Sequence, residues 1–135
     1  MSFTLVLLML AAQAVGAQVP LASAKVPLNK EFSLKIGQAA VINAQKVSLK
    51  FITVHDDSRC PTGVQCVWAG NAAVVVELSK NKKKLVQATL NTSIKPNELE
   101  YKDYKIKLVG LNPYPKADQR INQKDYQAVL IVTKE

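Results

Sequence analysis

Apolar and polar residues alternate along most of this chain, and a period of two is the mark of a half-buried strand. Phe32, Leu34 and Ile36 alternate with Ser33 and Lys35. Gly37-Gln38 is a turn, and 39–43 is a second, short strand. Val47, Leu49 and Phe51 alternate with Ser48 and Lys50. At Phe51-Ile52 the phase slips, and Ile52 and Val54 carry it on. A slip of one residue turns side chains to the other face, so a β-bulge or burial of both faces is expected there. From His55 to Gly70 no period survives, and that stretch reads as a loop.

Beyond Gly70-Asn71 the alternation resumes. Val74, Val76 and Leu78 are expected inward and Glu77 outward. Residues 79–83 form a polar hairpin tip. The return strand has Lys84, Val86, Ala88 and Leu90 on one face and Leu85, Gln87 and Thr89 on the other. Residues 91–101 read as a loop around Pro96. Tyr104, Ile106 and Leu108 alternate with Lys105 and Lys107. Asn112-Pro113-Tyr114-Pro115 ends that strand, and a polar crossing leads to Tyr126, Ala128, Leu130 and Val132. The neighbours Val129 and Ile131 are apolar as well, which predicts a central strand covered on both faces. About seven short strands and no amphipathic helix predict an all-β domain, an antiparallel sandwich or Greek-key barrel, over residues 31–135.

The N-terminus departs from this pattern. No charged side chain precedes Lys25, and the apolar run from Phe3 to Ala12 is too short to span a bilayer comfortably. The small residues after it fit a cleavage site, so 1–17 is expected to be a signal peptide, with Ala14 and Ala24 as alternatives to Ala17. Residues 18–30 are an extended, mobile lead-in, where two prolines forbid helix. No later segment reaches transmembrane length. The expected product is exported, periplasmic or secreted, and monomeric.

The formal charge is +8, and of the 18 basic residues only Arg59 and Arg120 are arginine. Lysine without stacking aromatics gives no specific nucleic-acid signal. Lys80, Lys82, Lys83 and Lys84 form a basic patch at one hairpin, which serves solubility, protection of a sheet edge, or attraction to an anionic surface polymer.

Reactive residue types gather in the aperiodic stretch. It holds the only histidine, His55, the only tryptophan, Trp68, and both cysteines. In an exported chain Cys60 and Cys66 are expected to pair. Such a short ring removes only about 2 kcal/mol of unfolded-state entropy, so it shapes a loop more than it holds a fold. Trp68 is expected against the disulfide or under the loop. Arg59 beside Asp57 suggests a clamp at the loop base, with Asp56 or Asp57 capping turn N–H groups. Gly70 supplies a backbone angle that other residues resist. Were the loop to bind something, His55, Asp56, Asp57, Arg59 and Trp68 are the candidates.

Three chemical readings are weaker. A metal site using His55 and neighbouring acids lacks a second histidine and has its cysteines committed elsewhere. A triad from His55, Asp57 and Ser58 fails because neighbouring residues point in alternating directions. Asn91-Thr92-Ser93 is a formal glycosylation sequon, which by itself assigns no function. No cofactor, metal or catalytic residue is expected.

The string Asp57-Ser58-Arg59-Cys60-Pro61, followed by Cys66 and Trp68-Ala69-Gly70, resembles a motif of small uncharacterised bacterial exported β-proteins. Phe32, Leu34, Gly37 and Gln38 near the start, and Leu111, Pro113 and Pro115 near the end, extend the resemblance over most of the chain. It implies an envelope or secreted β-domain and no activity. The expected role is therefore binding or structural, with an envelope or extracellular protein as the partner. A loop-presenting protease inhibitor is the alternative within that class.

Overall fold

The computed structural model describes residues 24–42 and 46–135. The expected signal peptide, residues 18–23 of the lead-in and the end of the second strand lie outside the described residues. The described residues form nine strands: β1 (Ala24–Val26), β2 (Glu31–Lys35), β3 (Ala39–Ile42), β4 (Val47–His55), β5 (Ala73–Lys80), β6 (Lys83–Asn91), β7 (Glu98–Tyr101), β8 (Tyr104–Asn112) and β9 (Gln127–Lys134). A 3-10 turn, Gln123–Asp125, precedes β9. Among the described residues no helix is long and apolar enough to cross a membrane.

The strands make two sheets. One runs β1-β3-β4-β5-β6 and the other β2-β9-β8-β7. All pairings are antiparallel except β1 with β3. The inward residues of the alternating segments close one core between the sheets. Leu49, Phe51, Val76 and Leu78 of the first sheet and Leu34, Ile106, Leu130 and Val132 of the second are fully buried. The fold is thus the expected all-β sandwich, with two strands more than expected.

Those two are short. β1 falls in what was expected to be a mobile lead-in, and it docks beside β3. β7 falls in the expected loop 91–101. Its Leu99 and Tyr101 are partly buried against the core while Glu98 and Glu100 point out. Four residues alternate too briefly to stand out from a turn-rich segment.

The phase slip in β4 is a bulge. Phe51 pairs with Val76 and Thr53 with Val75, which leaves Ile52 as the extra residue. Val54 then carries the inward pattern while Ile52 is only half-buried. A second bulge has no counterpart in the sequence reading. In β8, Leu108 pairs with Leu130 and Gly110 with Val129, so Val109 is extruded and exposed. The shift turns Leu111 into the core. Both bulges lie toward the same end of the sandwich, where they re-aim the strands that carry the loop described below.

β9 is central, between β2 and β8, but its outer face is not covered. Val129 and Ile131 are half-buried, flanked across the ladder by Ser33 and Glu31 and by Gly110 and Lys107. Apolar neighbours on an outward face are tolerated where residues on adjoining strands lie over them.

The opposite end of the first sheet carries the lysines. The β5–β6 turn has positive φ at both Asn81 (55°) and Lys82 (59°), as a two-residue hairpin requires. Lys46 and Lys84 are left-handed too, with φ of 55° and 49°. Lysine resists this region by roughly 1–2 kcal/mol, whereas glycine does not. Lys82→Gly and Lys84→Gly should therefore raise stability, each by about 0.5 kcal/mol after glycine's extra unfolded-state entropy is subtracted. Urea midpoints measured for the two variants check this, and a lower midpoint refutes it.

Candidate functional site

The loop between β4 and β5 is built on two short rungs and a buried cation. The Ser58 N–H donates to Asn71 O at 2.7 Å and the Cys60 N–H to Ala69 O at 3.0 Å. The Ser58 hydroxyl also donates to Asn71 O and accepts from the Asn71 N–H. Gly70 lies between the rungs with φ of 72°, and a side chain there would run into the Ser58 carbonyl. This is the angle the sequence reading assigned to it, with close approach as a second reason.

Arg59 is 6% exposed. Its Nε donates to Asp57 Oδ1 and its Nη2 to Asp57 Oδ2, both at 2.8 Å. Nη1 donates to Leu111 O at 2.6 Å and Nη2 to Pro113 O at 3.0 Å. The guanidinium also lies 5.2 Å from the centre of the Tyr114 ring. Tyr126 donates its hydroxyl to Asp57 Oδ2 at 2.8 Å. The clamp anticipated between Arg59 and Asp57 is present, and it reaches further than the loop base. It ties the loop to the end of β8 and the start of β9.

Burial pushes the Asp57 carboxyl up, but the hydrogen bonds from Arg59 and Tyr126 and the charge of Arg59 outweigh it. Its pKa therefore lies below the ordinary 3.8. Burial, with the hydrogen bond to Asp57 and its negative charge, pushes the Tyr126 phenol up to about 12.

Above the clamp, Cys60 and Cys66 are disulfide-bonded. A disulfide is the mark of a non-reducing compartment. The Thr62 N–H donates to Pro115 O at 2.9 Å, which fastens the ring to the segment after β8. The remaining side chains point away. Val64 is exposed, Val67 is fully exposed and Trp68 is 60% exposed. Of the two places expected for Trp68, against the disulfide or under the loop, its exposure excludes the second. The Ser58–Asn71 and Cys60–Ala69 rungs close the loop base, and the side chain turned inward beneath it is Arg59, not the indole.

The other candidates separate. His55 ends β4 and is exposed, and so is Asp56, which adopts a φ of 50°. Asp57 and Arg59 spend their hydrogen bonds inside the clamp. Among the described residues no three His, Cys, Asp or Glu side chains come together. Both cysteines are bonded to each other, so His55 and Asp56 would have to hold a metal without them.

The basic patch lies elsewhere. β4 starts at Val47 beside Lys80 and ends at His55 beside Ala73. A strand of this length separates the lysines from the loop by roughly 25 Å. Lys46 joins them, its carbonyl accepting from the Asn81 N–H.

Several members of the loop's support were missed in the sequence. Tyr126 was assigned to the core by alternation, and its ring is indeed buried, but its hydroxyl serves Asp57. Asn91 is buried in a polar network, its side chain accepting from Asn71 and donating to Pro96 O. The sequon asparagine is thus engaged inside the fold. Only the cluster Asn112-Pro113-Tyr114-Pro115 signalled a special turn, and nothing in it named Arg59 as its partner.

Scans of protein-family models, curated proteins and solved structures find no match to this chain.

Asp57→Ala strands a buried guanidinium and should cost about 3 kcal/mol. Because the folded pKa of Asp57 is lowered, its contribution is present above pH 3.8 and is lost as pH falls through the lowered value. Tyr126 is the opposite case: its contribution is complete below pH 10.0 and fades as pH rises toward about 12. Urea titrations of wild type, Asp57→Ala and Tyr126→Phe across both windows test this. A gap between wild type and variant that stays constant with pH would refute it. The bridge itself should matter less: Cys60→Ser with Cys66→Ser should keep the fold and lose about 2 kcal/mol. Strand amide shifts in the double variant decide this, and their collapse would show the ring to be essential.

Proposed function

We propose that this chain is an exported, non-enzymatic β-sandwich that binds a protein partner through the tip of its disulfide loop. The observation that carries the reading is the exposure of Val64, Val67 and Trp68 on a loop closed by a disulfide and two backbone rungs. The disulfide, the two backbone rungs and the Arg59 clamp fix the loop before any partner arrives. Fixing a loop in advance lowers the ordering cost of association. Tryptophan is the residue most often found to dominate an interface. Export is supported by the disulfide, by the charge-free apolar N-terminus, and by the resemblance of the Asp57–Gly70 motif to exported bacterial proteins. The periplasm or the cell exterior is the compartment proposed.

A binding role is also supported by how the reactive residues are used. Both carboxylate oxygens of Asp57 accept from Arg59 and Tyr126, which leaves them no part in activating His55. The loop presents apolar surface rather than a nucleophile or a paired acid and base.

The test is a photo-crosslinking residue placed at Val67, with Lys107 on the far sheet as the control position, in cells that export the protein. A discrete protein adduct should form from position 67 and not from 107. Trp68→Ala should weaken formation of that adduct roughly thirtyfold, as expected for an anchor of about 2 kcal/mol. Equal adducts from both positions, or none from 67, would overturn the reading.

A further inference from the structure

An outermost strand leaves a row of N–H and C=O groups open to another chain, and folded proteins blunt such edges. The two sheets here end in β1, β6, β2 and β7. β1 has three residues and carries Lys25. β7 has four and carries Glu98 and Glu100. β2 carries Glu31 and Lys35 at its ends. β6 differs from all three. It has nine residues, and its stretch Leu85–Leu90 holds neither charge nor proline. Its register with β5 runs without a shift from Val86 to Asn91.

β6 is also uncovered. Leu85 is 64% exposed on the outer face and Val86 46% on the inner one. Among the described residues, only β5 pairs with residues 83–90, and the Asn91 N–H alone is taken by another segment, at Pro96.

Lysines on an edge usually keep other strands away. Here they do not line the open row. Lys80, Lys82, Lys83 and Lys84 gather at one end of it, joined by Lys46. Lys46, Lys82 and Lys84 sit at positive φ, where glycine or asparagine would be less strained. The chain thus concentrates cations beside one end of an open strand, at positions where the backbone disfavours them.

We propose that β6 is a docking edge that takes an extended, acidic segment of a partner protein as a sixth strand. Main-chain hydrogen bonds to Leu85–Leu90 supply the register, and carboxylates of the incoming strand meet the lysine end. A second copy of this chain fits less well. Paired antiparallel, its own β6 brings Asn91, Thr92 and Ser93 to the lysines and offers no carboxylate. The lysine end of this edge and the disulfide loop lie at opposite ends of the sheet, and the amides probed belong to β6 alone, so this inference stands or falls separately from the loop's role.

The probe is a capped peptide of strand length, about eight residues, alternating valine and threonine with glutamates at one end, made in both orientations. Backbone amide exchange is read on the full exported chain. Binding should slow exchange at alternate amides between Leu85 and Leu90. The combined variant Lys82→Gly with Lys84→Gly, which removes charge and relieves strain, should weaken binding roughly tenfold while the fold persists. The same peptide N-methylated at alternate residues should not bind.

Four outcomes overturn the proposal. The peptide binds without slowing those amides. Neither orientation binds at millimolar concentration. The free chain already protects Leu85–Leu90, as a second copy or another segment of the chain would do. Inorganic polyphosphate binds the lysines as tightly as the peptide and leaves the edge amides unchanged, which assigns the cluster to a polyanion instead.

Discussion

Arginine keeps its charge at any pH a folded protein survives, so a buried guanidinium must be met by fixed partners. Arg59 meets four of its five N–H groups with Asp57, Leu111 O and Pro113 O, and lays its plane near Tyr114. Desolvating such a group costs several kcal/mol, and the cost is offset only while every partner stays in place. The end of β8, the segment after it, Tyr126 at the start of β9 and the loop after β4 are therefore held as one unit. The loop's shape is a consequence of that cation more than of the disulfide, whose ring encloses too few residues to constrain the unfolded chain strongly.

The strands have to deliver these partners, and two bulges do so. The extra residue Ile52 re-phases β4 just before it becomes the loop. The extra residue Val109 re-phases β8 so that Leu111 turns inward and its carbonyl reaches Arg59. A regular ladder would place the opposite face of each strand at that end. On the loop that these bulges position, Arg59 is turned inward while Val67 and Trp68 stay exposed.

The molecule is polarised as a result. One end presents the apolar side chains of Val64, Val67 and Trp68 on and just after a disulfide ring. The other is a lysine-rich hairpin beside an open, uncharged edge. Little chemistry lies between them, since the sheet faces are plain alternation. The two ends offer surfaces of different character, one apolar and one cationic.

Period-two alternation by itself determined the all-β class, the position of the main strands, the aperiodic loop and the break at Phe51-Ile52, because burial of one sheet face leaves a direct trace in residue order. Cysteine count and the turn chemistry of Gly70 were legible for the same reason: each depends on a residue and its near neighbours. The order of the strands in two sheets, the short β1 and β7, and the bulge at Val109 came only with tertiary structure. So did the hydroxyl of Tyr126 on Asp57, across 69 residues of chain. The exposure of Trp68 belongs with these. Alternation is lost in the loop, so which side chain turns inward there, Arg59 rather than Trp68, depends on partners distant in the chain that no local pattern encodes.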